Sequence, residues 1–236
     1  MTAGMHLPEV VSPEEWLAAR RELLVKEKEL TRMRDRVNAD RGRLPMVRID
    51  KPYAFEGPEG TVGLLDLFEG RQQLIVYRFF LDPGMDIASY PEQGCPGCTM
   101  FADNLPNLTH LNARDTTMVF VSAGSQDAIR NYRARMGWDV PWYTTLDDFS
   151  ADFDVSEYFG INVFLRDGDQ IYRSYYTTAR AAEELSSVWA LLDITPFGRQ
   201  EEWQNAPEGV PQDPTYSWAR RHDEYTPEEL AGGRAS

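Results

Sequence analysis

Two apolar runs constrain this chain most. QLIVYRFFL (residues 73–81) and TTMVFVSA (residues 116–123) are almost unbroken by polar side chains. A strand with one wet face alternates; a continuous run suits a strand buried on both faces, inside a sheet with helices above and below. Both runs fall far short of the ~20 residues that span a bilayer. The connection between them has room for a helix, so the pair predicts a right-handed β-α-β crossover.

The other segments extend this unit. MVRID reads as a short strand, YAFEGPEG as a strand with a Gly-Pro turn, and TVGLLDLF as a brief helix. Residues 98–113 read as helix, and PWYTTLD as a third strand. SQDAIRNYRARMG has a helix start at Ser125 and a glycine stop at Gly137. INVFLRDGDQIYRSYYT is a hairpin around Asp167 and Gly168, and AAEELSSVWALLDI a closing helix. At the front, Ser12, Pro13 and Glu15 form a capping-box start. Trp16, Leu23, Leu30 and Val37 then recur every seven residues, widened by Leu24 and Met33. A long amphipathic helix is predicted over residues 13–40, ending near Gly42, with its apolar stripe packed against a second subunit.

This gives an α/β chain with a mixed sheet covered by helices on both faces. It divides into a helical arm (1–44), the sheet domain (45–198) and a tail (199–236) rich in proline and charge. The tail is expected to wrap over the core through Trp203 and Trp218. The net charge of −14 repels phosphates over most of the surface, so neither a nucleic acid nor an acidic membrane is an expected partner. The first ten residues carry no basic-then-apolar leader, and a cytoplasmic protein is expected.

The only two cysteines, Cys95 and Cys98, stand between the first buried strand and the helix after it. In a reducing compartment such a pair is catalytic or metal-binding rather than a staple. Zinc needs more ligands than His6, His110 and His222 offer at their spacing, so no metal and no cofactor is expected. Pro96 suits the first helical turn, which puts Cys95 at the cap and Cys98 one turn in on the same side. A thiolate there meets unpaired N–H groups and the positive end of the helix dipole, and its neighbour can resolve a mixed disulfide. The residues therefore point to thiol–disulfide exchange, with Cys95 attacking and Cys98 resolving. A pair of ordinary buried thiols in a redox-inert binding or assembly protein, with the arm as its interface, is the alternative outside enzymology.

PEQGCPGC also resembles the peroxiredoxin pattern P-x-x-x-[T/S]-x-x-C. On that resemblance Pro91 shields the site, Cys95 replaces the hydroxyl residue, and Cys98 attacks peroxide, with Cys95 resolving the sulfenic acid. An arginine beside the thiolate is then implied, and Arg78 and Arg173 are the candidates. The substrate is accordingly a disulfide-containing protein, or a small thiol or peroxide.

EEWLAARRELLVKEKELTR, YAFEGPEGTVGLLDLFEGRQQLIVYRFF, GCPGC, RMGWDVPW, VFLRDGD, LLDITPFGRQE and WARRHDEY together resemble an uncharacterised bacterial family of thioredoxin-like proteins, a domain of unknown function. The resemblance implies the thioredoxin-like fold and brings no assigned reaction. Two features depart from ordinary thioredoxins. Cys-Pro-Gly-Cys inverts the usual Gly-Pro order. The approach to the hairpin, DVSEYFGINVFL, lacks the proline that thioredoxins place opposite their cysteines. Residues 81–94 form a longer connection than thioredoxins have and are expected to act as a lid or specificity element. Trp138, Trp142 and Tyr143 are read as core, and RRHDEY as an ion-pair cluster that holds the tail down.

Overall fold

The two apolar runs lie side by side at the centre of an eight-stranded sheet. The computed structural model describes residues 7–83, 94–155 and 158–231. In chain order the elements begin with α1 (Pro13–Arg41), β1 (Val47–Ile49), β2 (Ala54–Gly57), β3 (Gly60–Gly63), a 3-10 turn (Asp66–Phe68) and β4 (Gln73–Arg78). The crossover holds α2 (Pro96–Asp103) and α3 (Thr109–Asn112) and returns to β5 (Thr116–Ser122). Then come α4 (Gln126–Met136), β6 (Trp142–Thr145), α5 (Phe149–Asp152), and the hairpin β7 (Gly160–Asp167) and β8 (Gln170–Thr177). A 3-10 stretch (Ala179–Leu185), α6 (Ser187–Asp193) and α7 (Pro227–Leu230) complete the chain.

The sheet order is β1-β8-β7-β4-β5-β6-β2-β3. β4, β5 and β6 run parallel, while β7 joins β4 antiparallel. Side chains alternate across β4. Tyr77 and the following Phe79 enter a core with Phe101, Phe120, Tyr132 and Trp142 beneath α2 and α4. Leu74 and Val76 enter another with Phe55, Leu67, Phe149 and Phe164 beneath the 3-10 turn and α5. Both faces are dry, which is why the run shows no polar alternation. A parallel β-α-β crossover, a hairpin antiparallel to its first strand and helices on both faces make the fold thioredoxin-like.

Several local expectations change. Residues 61–63 belong to β3, paired with β2 as a hairpin, instead of opening a helix. The helix expected over residues 98–113 is broken between α2 and α3. Pro106 disfavours helical geometry at Leu105 and has no N–H to donate. The closing helix is interrupted at Ser186, whose φ of −120° and ψ of 129° are extended. By contrast, Ser125 caps α4, and Gly137 ends it at φ +70°, a conformation that costs glycine little.

α1 has its full capping box and stops at Gly42, yet none of its residues is buried. Trp16 is 59% exposed and Leu30 62%. Among the described residues the stripe is therefore not packed on its own chain; Arg41, at the end of the helix, stacks over Tyr175 at 4.7 Å. Among the described residues no helix is long and apolar enough to cross a membrane.

The tail is held by buried polar groups as much as by its indoles. Glu201 is fully buried and accepts from Trp203 Nε1 (2.6 Å), Trp218 Nε1 (2.8 Å) and the Tyr216 N–H (3.0 Å). Arg199 pairs with Glu183 and Asp193. Removing one member would strand a buried charge, a cost of roughly 3–5 kcal/mol.

Candidate functional site

The chain turns from β4 into α2 through Gly94, at φ +70°. A Cβ there would lie 2.9 Å from Tyr132 Cζ and 3.1 Å from Phe79 Cε1, so both space and backbone demand glycine. The next N–H, that of Cys95, donates to the Phe80 carbonyl at 3.1 Å and ties the motif to the end of the buried strand. Cys95 is the N-cap of α2 and Pro96 its first helical residue, as the sequence predicts. Thr99 donates from its N–H and its hydroxyl to the Cys95 carbonyl, both at 2.9 Å, and its hydroxyl meets Tyr132 Oη at 2.7 Å.

The two cysteines are unbridged and 3.7 Å apart. Their surroundings differ sharply. Cys95 is half-buried; Cys98 is fully buried. The Cys95 thiol is lowered to about 6, first by a hydrogen bond from Cys98, then by the N–H groups of Cys98 and Gly97 and the charge of Arg221. In the reduced thiol Sγ makes no capping hydrogen bond of its own; the N–H groups act on the charge that forms when it ionises. Cys98 is pushed well up by burial and by the neighbouring Cys95, and the Tyr77 hydroxyl hydrogen-bonds to it. Tyr77 is itself fixed, stacked on Phe101 at 4.4 Å with the rings 3° from parallel. One thiol is thus accessible and readily ionised, and the other is protonated behind it.

Of the arginines expected at the thiolate, Arg78 is buried and donates to the Tyr158 carbonyl (2.6 Å) and to Asp82. Arg173 pairs with Asp154 at 2.8 Å and donates to the Phe153 carbonyl. The arginine whose charge acts on Cys95 is Arg221, in the tail. It is 2% exposed, and it donates to the Gly94 carbonyl and to Glu224, both at 2.6 Å. Sequence reasoning missed it and took its segment as an ion-pair cluster. That cluster is present: Arg135 clasps Asp223 at 2.7 and 2.8 Å, and His222 meets Asp103 at 2.8 Å. The available signal was a pair of arginines between aromatics (Trp218, Tyr225), too apolar a setting for a purely solvated tail. Pro91, and most of the connection expected to form a lid, lie outside the described residues. Trp138 and Trp142 pack in the core against Phe79 and Tyr132.

Beside Cys95 lies a cavity of about 390 Å³ with Phe101, Phe159, Trp189 and Tyr216 in its walls. Tyr158 and Phe159, on the approach to β7 that lacks proline, both border it. Among the described residues no group of three or more His, Cys, Asp or Glu side chains is arranged to hold a metal ion.

A family model described as a bacterial protein of unknown function (DUF899) matches residues 5–225. No curated protein matches the chain. Solved structures that resemble it include an uncharacterized conserved protein from Geobacillus kaustophilus, with TM-score 0.40 and 14% identity, covering 58% of this chain and 72% of that one. Peroxiredoxin Q of Xanthomonas campestris gives TM-score 0.38 and 16% identity over 60% of this chain and 89% of its own. A thioredoxin-like protein from Aeropyrum pernix gives 0.36 and 14% over 68% and 97%.

Proposed function

Because the chain belongs to DUF899, a bacterial family of unknown function, we propose its reaction from the site itself: thiol–disulfide exchange by Cys95 and Cys98. The observation that carries this reading is the asymmetry of the pair, an accessible, acid-shifted Cys95 at the helix cap and a buried Cys98 3.7 Å away. The Cys95 thiolate attacks one sulfur of a disulfide, and the other sulfur leaves as a thiolate that takes a proton. Cys98 then loses its proton and attacks Cys95 Sγ, which releases the second thiol. The pair ends as a disulfide, oxidised by two electrons, and a dithiol reductant restores it. The partner is a disulfide in a protein or a small molecule, met in the reducing cytoplasm.

The peroxidase reading makes Cys98 the attacking thiolate. Its burial and raised pKa weigh against that role, since peroxide attack needs an exposed, ionised sulfur. We also propose that α1 packs against a second copy of the chain, because its stripe is uncovered.

Two serine variants test the assignment. Cys98→Ser treated with a small disulfide should hold it as a mixed adduct seen by intact-mass spectrometry, and Cys95→Ser should hold none. A sulfenic acid forming on Cys98 of Cys95→Ser much faster than on a free thiol would replace the exchange reading with the peroxidase. The midpoint potential of the pair is expected between about −270 and −120 mV, the span of Cys-x-x-Cys oxidoreductases.

A further inference from the structure

The cavity beside Cys95 is closed on one side by the tail, which contributes Tyr216 and Arg220. At about 390 Å³ it is in the range of small-molecule sites, roughly 300–1,000 Å³, and its walls are mostly aromatic and aliphatic. One charged side chain in its wall meets no counter-charge among the described residues. Arg220 donates to the carbonyls of Ser217 and Ala219, and its charge meets no carboxylate among the described residues. Glu183, the carboxylate in the wall, is already engaged by Arg199, Arg180 and the Tyr216 hydroxyl. The pocket as it stands therefore offers donors and a positive charge to whatever enters.

Resting on the exchange reading above, we propose that this cavity selects the substrate: a low-molecular-weight disulfide with an aromatic arm that carries a carboxylate. The arm lies among Phe101, Phe159, Trp189 and Tyr216, its carboxylate takes the Arg220 guanidinium, and its sulfur meets Cys95. Attack forms the Cys95–arm disulfide and expels the other half as a thiol. Cys98 then displaces the arm as the second thiol, leaving the pair oxidised by two electrons, to be restored by a dithiol. Tyr158 and Phe159 and the tail residues Tyr216, Ser217, Ala219 and Arg220 border the same cavity as the thiol.

The test uses reduced full-length protein with dithiodinicotinate, an aromatic carboxylate disulfide, and with oxidised glutathione. Each rate is divided by that of the same disulfide with dithiothreitol, which removes intrinsic reactivity. The normalised preference for dithiodinicotinate should be about a hundredfold, within what an apolar pocket supplies. Arg220→Gln should reduce that preference by roughly fivefold or more, the loss of one charged hydrogen bond. Ala219→Phe, which fills the cavity from the half-exposed tail, should reduce it about tenfold or more, and melting curves confirm that each variant is folded. Equal normalised rates for the two disulfides, a faster reaction with a peptide disulfide, or a preference that survives both variants overturns the pocket while leaving exchange intact. No reaction with any disulfide removes both.

Discussion

The long helix α1 and the short helix α2 are opposites. α1 has 29 residues, a complete capping box, proline at its first position and a regular apolar stripe, and it buries nothing. α2 has eight residues and no side-chain cap, yet Pro96, Cys98, Thr99, Met100, Phe101 and Ala102 are all buried. Local signals suffice for α1 because a helix this long gathers enough internal hydrogen bonds to offset its nucleation cost. α2 is too short for that and persists because the sheet and the tail enclose it. The lesson concerns chemistry as well as stability. The reactive thiol stands on the helix that depends on the whole fold, so its properties answer to distant residues such as Arg221.

The comparison breaks first in the core. Phe79→Ala removes a ring that touches Phe120, Tyr132, Trp138 and Trp142 and walls Gly94. It should cost about 3–5 kcal/mol in denaturant unfolding. Cys95 alkylation should lose its acid-shifted pH profile in the same variant. If α2 stays formed at full stability, its dependence on the sheet is disproved.

Next in size is the titration of Cys95. Its iodoacetamide rate should rise with a midpoint near about 6. An ordinary thiol ionises near 8.5, so the thiolate advantage at neutral pH is on the order of thirtyfold. The folded value lies below the unfolded one, so this group stabilises the reduced protein most above ~8.5 and loses that contribution as pH falls through about 6. Stability should therefore climb with pH across that window, and Cys95→Ser should flatten the climb. Cys98, shifted upward, opposes it only above the window.

Arg221→Gln sharpens the link to the tail. It removes a charge that acts on Cys95 and a donor to the Gly94 carbonyl, so the alkylation midpoint should move up. Stability should fall by roughly 1–3 kcal/mol because the Gly94 carbonyl is left buried and unsatisfied. An unmoved midpoint would leave Arg221 as a purely structural clamp.

The smallest effects belong to α1. Ser12→Ala removes the capping box and should cost about 1 kcal/mol. The loss should appear as faster amide exchange in the first turns, with no change in the unfolding of the sheet. Trp16→Ala should change stability by less than ~0.5 kcal/mol in a monomer. A larger loss that grows with protein concentration and vanishes on dilution would show the stripes of two copies packed together.

Sequence alone determined the parts whose causes are local or periodic. The apolar runs at 73–81 and 116–123 require strands dry on both faces. Ser12 and Ser125 mark helix starts, Gly137 a helix stop, and Gly168 the hairpin turn. Pro96 after Cys95 requires the cap geometry, because a proline has no N–H for a helix interior to use. Other features were decided only by the tertiary structure. Which thiol is exposed, where Arg221 comes to rest, and that a stripe as regular as Trp16–Leu23–Leu30–Val37 is left uncovered among the described residues depend on contacts between residues far apart in sequence. Arg221 reaches the Gly94 carbonyl across 127 positions. Nothing at either end announces that meeting, since burial and charge proximity are properties of the packed sheet, helix and tail together and not of any segment within them.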